Sequence, residues 1–151
     1  MASPRTYAEL SVGPAFTGAT SGRVVPSLFL GLDISSFIVT YYGTGVSTSV
    51  YYQVTNQIGF LKKWSKKPFL WGQVEPALGG AALFSQRGYS PNPSTQQVTN
   101  DFTLGPDFRV SWYLSGPVFL SVDVLFGLQS LYNLFYLAPQ DEANLVLGIS
   151  L

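Results

Sequence analysis

Apolar and polar residues alternate along this chain almost from end to end, and no helical spacing persists for a useful length. The period of two predicts a first strand over residues 6–14. Ala8, Leu10 and Val12 lie on one face of it, and Tyr7, Glu9, Ser11 and Gly13 on the other. After a loop of small residues, Thr17 to Gly22, a second strand over 24–34 turns Leu28, Leu30, Leu32 and Ile34 one way. Ser27, Phe29, Gly31 and Asp33 face the other way, and Ser35-Ser36 forms a tight turn. A short third strand over 37–42 has mixed faces and no clear register. Beyond Gly43-Thr44-Gly45 a fourth runs to about Phe60, with Val50, Tyr52, Val54 and Ile58 opposed to Tyr51, Gln53, Thr55 and Gln57. Asn56 falls on its apolar face.

The basic turn Lys62-Lys63-Trp64-Ser65-Lys66-Lys67-Pro68 leads to a fifth strand over 69–84, which sets Val74, Pro76 and Leu78 against Gln73, Glu75 and Ala77. A polar connection over 85–100 follows. The sixth strand alternates most cleanly: Phe102, Leu104, Pro106, Phe108, Val110 and Trp112 against Thr103, Gly105, Asp107, Arg109 and Ser111. A turn near Ser115-Gly116 precedes a seventh strand, with Val118, Leu120, Val122, Val124 and Phe126 outward. A second long connection, 128–142, separates it from a last strand that sets Leu145, Leu147, Ile149 and Leu151 against Asn144, Val146, Gly148 and Ser150.

Eight strands of this kind, most near the roughly 9–11 residues that a tilted strand needs to cross a bilayer, can close on themselves. Closure matters because lipid offers no water to the backbone groups of an open edge. The expected fold is therefore all-β: one closed, eight-stranded, antiparallel, up-and-down transmembrane β-barrel spanning residues 1–151. Composition points the same way. Charged residues are 11% of the chain and aromatics 15%, yet no apolar run approaches the roughly 20 residues of a membrane helix. Met1-Ala2-Ser3-Pro4 reads as a start residue placed on a mature N-terminus whose secretion leader has been removed.

The connections alternate in length, as they do where short turns face the periplasm and long loops face outward. Trp64, Trp71 and Trp112 fall toward one end of their strands and Tyr41, Tyr42, Tyr51 and Tyr52 toward the other, the pattern of two interfacial aromatic girdles. This pattern resembles the small eight-stranded barrels of the bacterial outer membrane, such as the transmembrane domain of outer membrane protein A and outer membrane protein X. The resemblance covers nearly the whole chain and rests on alternation, not on a motif. It implies a Gram-negative outer-membrane location, contact with membrane lipid and lipopolysaccharide, and a monomer. One departure is that such barrels usually end on an aromatic residue, and this chain ends on Leu151.

The chain has no histidine and no cysteine and is formally neutral. The usual general base, thiol chemistry and most metal ligands are thereby missing, so no catalytic residue, metal or cofactor is expected and the chain does not read as an enzyme. Neutrality also gives no reason to expect nucleic-acid binding. The inward faces carry Glu9, Asp33, Glu75, Asp107 and Asp123 with one base, Arg109. Counted from the strand ends, all but Asp33 fall near mid-height. The Ser115-Gly116-Pro117 turn permits a register that sets Arg109 opposite Asp123. A polar cluster centred on Arg109 and plugging the barrel is expected, since eight strands enclose little more than their own side chains.

Function is then expected in the loops over 85–100 and 128–142: a structural, adhesive or recognition role toward a protein or host surface. Two alternatives stand beside it. The acid excess would suit a narrow cation-preferring channel. A soluble lipocalin-like carrier of an apolar ligand would instead need its apolar face inside. The lysine-rich turn reads as a membrane anchor around Trp64.

Overall fold

The computed structural model describes residues 8–19, 24–47, 49–92, 94–127 and 141–151, and all regular structure among them is β-strand. In chain order the strands are β1 (Ala8–Ala19), β2 (Val24–Ile34), β3 (Phe37–Ser47), β4 (Tyr51–Lys63), β5 (Lys67–Phe69), β6 (Gly72–Asn92), β7 (Thr95–Ser115), β8 (Val118–Leu125) and β9 (Glu142–Ser150). All pairings are antiparallel. They run β4-β3-β2-β1-β9-β8-β7-β6, and β6 pairs back onto β4 to close the ring. The three-residue β5 folds against the start of β6, Phe69 opposite Gly72, and lies outside the ring. The wall is thus the eight-stranded closed barrel that the alternation predicts.

Side-chain parity decides which face meets what. On β2, Leu28, Leu30, Leu32 and Ile34 are exposed, while Phe29, Gly31 and Asp33 are buried. On β9, Leu145, Leu147 and Ile149 are exposed, and Asn144, Val146 and Gly148 are buried. An apolar belt therefore runs round the outside, and the inside is filled by polar and charged groups interleaved with buried apolar clusters such as Phe29 with Phe119 and Ile38 with Leu61. This is the reverse of a soluble carrier barrel, whose ligand pocket would be apolar.

Three boundaries differ from the sequence reading. Residues 17–19 extend β1 and are not loop, because Thr17 turns inward to a partner on β9. β3 runs on to Ser47: Ile38, Thr40, Tyr42 and Thr44 point inward, so Gly43-Thr44-Gly45 is strand and not a turn. The mixed faces of that stretch arise because Ile38 and Tyr42 are large apolar groups packed inside the barrel.

The third difference is the largest. Residues 85–100 form no open loop but the upper part of one long hairpin. β6 and β7 have 21 residues each and stay paired from Gln73↔Tyr113 to Asn92↔Thr95, with an irregularity near Tyr89. Their Ser, Thr, Asn and Gln content looks like loop, but a strand exposed at every position, as β7 is over residues 96–100, carries the same composition. Most of 128–142 lies outside the described residues; Asp141 and Glu142 are buried at the start of β9.

Turn geometry sets the short connections. Gly116, at φ +56, makes the β7–β8 turn with Pro117, a backbone that glycine adopts without steric cost. Ser35 (φ +54) and Leu70 (φ +51) adopt the left-handed region without that freedom.

Candidate functional site

Inward positions of neighbouring strands meet inside the barrel, and the register brings Arg109 on β7 opposite Asp123 on β8. Arg109 is 2% exposed and Asp123 0%. The guanidinium Nη1 lies 3.7 Å from Asp123 Oδ2 and donates to the Tyr42 hydroxyl at 2.7 Å, while Nε donates to Ser111 Oγ at 3.0 Å. Tyr42 in turn donates to Asp123 Oδ2 at 3.1 Å. Aromatic faces cover the remaining surface of the cation: the Phe29 ring centre is 4.6 Å from the guanidinium carbon and that of Phe119 is 5.8 Å away.

From Asp123 the hydrogen bonds continue across the barrel. Gln57 donates to Asp123 Oδ1 at 3.4 Å, Asn144 donates to Gln57 Oε1 at 3.1 Å, and Thr17 donates to Asn144 Oδ1 at 2.6 Å. Thr17 and Ser27 share a further hydrogen bond at 2.7 Å. Side chains from seven strands are thereby tied into one network. Asp107 sits within this layer, fully buried beside Asp123, Arg109 and Gln57, and neither of its oxygens has a hydrogen bond of good geometry.

A second charged group shares no hydrogen bond or ion pair with the first among the described residues, although Arg109 lies within electrostatic reach of its Asp33. Lys63, the last residue of β4, is ion-paired with Asp33 from β2, both side chains largely buried. Glu75 on β6 lies within electrostatic reach of Lys63, Lys66 and Asp33 and accepts a hydrogen bond from the Tyr113 hydroxyl at 3.2 Å. The Lys66 ammonium sits 3.7 Å above the Tyr113 ring.

The expected single cluster is therefore two. Asp107, Asp123 and Arg109 come together; Asp33 and Glu75 belong to the second group. Glu9 belongs to neither by contact: it pairs with Asp33 across the β1–β2 ladder, one residue from the start of the described strand, and is half-buried. Its expected mid-height position came from ending the strand at Pro14, whereas β1 runs on to Ala19. Lys63 was missed because the lysines read as one surface turn. The signal was there, since Lys63 has the parity of the inward residues Thr55, Gln57, Gly59 and Leu61.

The aromatic residues also divide differently. Trp71 is strongly exposed and its ring lies 6.2 Å from that of Trp112; Phe69 lies 6.3 Å from Trp112, and Trp64 is exposed nearby in sequence. Tyr42 is not an interfacial residue at all, because it faces inward and holds Arg109. Tyr41 lies on the outer face opposite Leu30 and Ile58, well inside the strand. Tyr51 has inward parity and donates to Gln53 at 2.6 Å, while the Tyr52 ring covers Gly88.

Above the barrel, β6 stays paired with β4 as far as Tyr51↔Tyr89, with Ser90 N–H donating to Val50. β7 is paired with β8 only between Asp107 and Ser115. One edge of β7 from Thr95 to Gly105 consequently has no strand partner among the described residues.

An apolar belt around a closed ring with a hydrogen-bonded charged filling defines the class of small barrels built to cross a bilayer. No protein-family model matches this chain, and no curated protein is similar to it in sequence. Solved structures are similar in fold. They include the N-terminal β-barrel domain of Pseudomonas aeruginosa OprF (TM-score 0.60, 11% identity, covering 95% of this chain and 97% of that one). Neisserial surface protein A is also similar (TM-score 0.52, 14% identity, 95% and 94% covered). So is Ail, the attachment invasion locus protein of Yersinia pestis (TM-score 0.50, 7% identity, 95% of each chain covered). At these identities the likeness is one of fold.

Proposed function

We propose that this chain is an integral protein of a Gram-negative outer membrane, a plugged monomeric barrel that serves as a rigid post for a recognition element at its outer face. The observation that carries the membrane reading is the sorting of side chains by parity. Leu28, Leu32, Ile58, Phe60, Phe102 and Leu147 face out and are exposed, while Arg109, Asp107, Asp123, Gln57 and Asn144 are buried inside. Such a belt would be hard to keep in water. The fold likeness to OprF, NspA and Ail supports the outer membrane as its place.

The recognition element in this reading is the β6–β7 hairpin. Its β7 edge, which has no strand partner among the described residues, offers a row of backbone donors and acceptors, the usual template for an added strand. An extended segment of a protein at the cell exterior is the partner this chemistry fits. That Ail is named an attachment protein is in keeping with such a role. The filled interior argues for a sealed barrel over a cation channel, because the Arg109–Asp123–Gln57–Asn144 network spans the lumen.

The test is refolding of the purified chain into detergent micelles and comparison of boiled and unboiled samples on a gel. A folded band that migrates apart from the boiled one and forms only with detergent is expected. A chain that folds in plain buffer would end the membrane reading. Planar-bilayer recordings on the folded sample should show no steady conductance.

A further inference from the structure

On the outer wall each outward residue of β6 is flanked by its pairing partners on β4 and β7. Two successive rows are Phe60–Gly80–Pro106 and Ile58–Ala82–Leu104. The middle residue of each row is small and the β4 flanks are large, Ile58 and Phe60 both being 57% exposed. The result is a trough of about 450 Å³ lined wholly by apolar residues.

Packing does not explain the glycine. A Cβ at Gly80 would approach nothing nearer than the Gly105 carbonyl at 3.7 Å, so a large side chain has room there. Gly79 differs, since a Cβ there would fall 2.7 Å from the Leu61 backbone. The space over Gly80 is left open toward lipid.

Lys62 lies one outward position below Phe60, the trough residue nearest the turn, and outside the lining itself. It is the next outward residue after Phe60 on β4, exposed, and paired with Leu78 and Phe37. The Phe37 and Phe60 rings stack at 5.1 Å beside it. Lys63 N–H donates to Ser36 in the adjacent turn at 2.7 Å, which places Lys62 at the rim of the wall. Lys66 and Lys67 are exposed in the following turn, and among the described residues no aspartate or glutamate is exposed. A cation at an apolar trough, with no exposed carboxylate to pair with, is complementary to an acyl chain that ends in an anionic headgroup.

We infer that the β4–β6 seam is a binding site for one anionic phospholipid, its acyl chain in the trough over Gly80 and Ala82 and its phosphate on the Lys62 ammonium. The inference rests on the membrane reading above. It assigns to Lys62 a ligand contact that a general interfacial anchor does not require.

The experiment is native mass spectrometry of the full chain refolded in micelles, offered phosphatidylglycerol or phosphatidylcholine with the same acyl chains. One phosphatidylglycerol should be retained in preference to phosphatidylcholine. Lys62→Gln should lower phosphatidylglycerol retention about fivefold, the contribution of one lysine near an anionic surface, and leave phosphatidylcholine unchanged. Gly80→Leu should lower retention of both lipids by filling the trough. Lys67→Gln, in the same basic turn, should behave like the parent. Equal retention of the two lipids, equal losses in the Lys62 and Lys67 variants, or a Gly80→Leu barrel that binds as the parent does would each overturn the site. Lys62→Gln changes only a surface group, so the result stands even if Gly80→Leu does not fold. The gel shift on the same samples separates the two readings. A barrel that folds in micelles without lipid preference overturns the site alone, and a chain that folds without detergent overturns the membrane reading.

Discussion

Asn56 interrupts the outward run of Val54, Ile58 and Phe60 on β4, and its side-chain carbonyl accepts a hydrogen bond from the Tyr41 hydroxyl at 2.7 Å. The pair lies diagonally across the β3–β4 ladder, where Tyr41 faces Ile58 and Gly43 faces Asn56. In hydrocarbon each of these groups would be costly alone, and together they shield one another. Tyr41→Phe should therefore destabilise the micelle-folded barrel by about 1–2 kcal/mol, the cost of a polar group left without its partner. Tyr41→Phe combined with Asn56→Val should recover most of that loss. Urea midpoints of the two single variants and the double variant give the coupling; strictly additive midpoints would mean that the bond contributes nothing.

Arg109 is the most heavily committed side chain inside the barrel, with Tyr42, Ser111 and Asp123 as polar partners and two aromatic rings beside it. Arg109→Met keeps much of the volume and strands the buried Asp123 carboxylate. Removing one partner of a buried pair typically costs about 3–5 kcal/mol. The loss here should lie near the lower figure, because Tyr42 and Gln57 still donate to Asp123. The unfolding midpoint in urea should fall sharply. A midpoint within error of the parent would show that the guanidinium does not hold this layer together.

The second charged layer makes a separate prediction. Lys63→Met leaves Asp33 and Glu75 near one another without their main cation, and Asp33→Asn leaves Lys63 with a weaker partner. Each change should destabilise the barrel, and a double-mutant cycle should return a coupling of about 1–3 kcal/mol. Arg109 is tied to neither residue by any hydrogen bond or ion pair among the described residues. Combining Lys63→Met with Arg109→Met should therefore give nearly additive losses, and a strong non-additivity would merge the two layers into one.

The limits of legibility follow the same physics. Wherever one face meets lipid and the other the lumen, parity is readable: β2, the lower half of β7, and β9 carry their expected faces residue by residue. The Arg109–Asp123 opposition was readable too, because the Ser115-Gly116-Pro117 turn is short and limits the register to few choices. Parity failed as a guide on β3, since Tyr42 and Ile38 are apolar residues used inside. It failed again above the barrel, where residues 96–100 of β7 are all exposed and leave no alternation to read. Charge was misread where composition outweighed position. Lys63 shares a run with Lys62, Lys66 and Lys67, yet its odd number puts it on the inner face. Tyr42 was assigned by residue type to an interface that its parity excludes.

The hairpin's independence from the barrel gives the last prediction. Among the described residues β7 pairs with β8 from Ser115 up to Asp107, and Phe126 N–H bonds to Pro106 just above it. The upper hairpin is held by its own ladder and by β4, together with an ion pair between Arg87 and Asp101 at 2.6 Å. That pair is partly exposed and contributes at most about 1 kcal/mol. Replacing residues 89–97 with Asn-Gly would join Gly88 and Val98, which already face each other, through a favoured two-residue turn. The shortened chain should refold with the same gel shift, and its urea midpoint should move by less than the equivalent of about 1 kcal/mol. Binding to a cell-surface partner that uses the tip of the β7 edge should weaken, since Thr95, Gln96 and Gln97 are removed while Val98 to Gly105 remain. If the shortened barrel bound as well as the parent, recognition would have to rest on the retained edge from Val98 onward or lie elsewhere on the outer face. If it failed to fold, the upper hairpin would be part of the structural ring and not a projection from it.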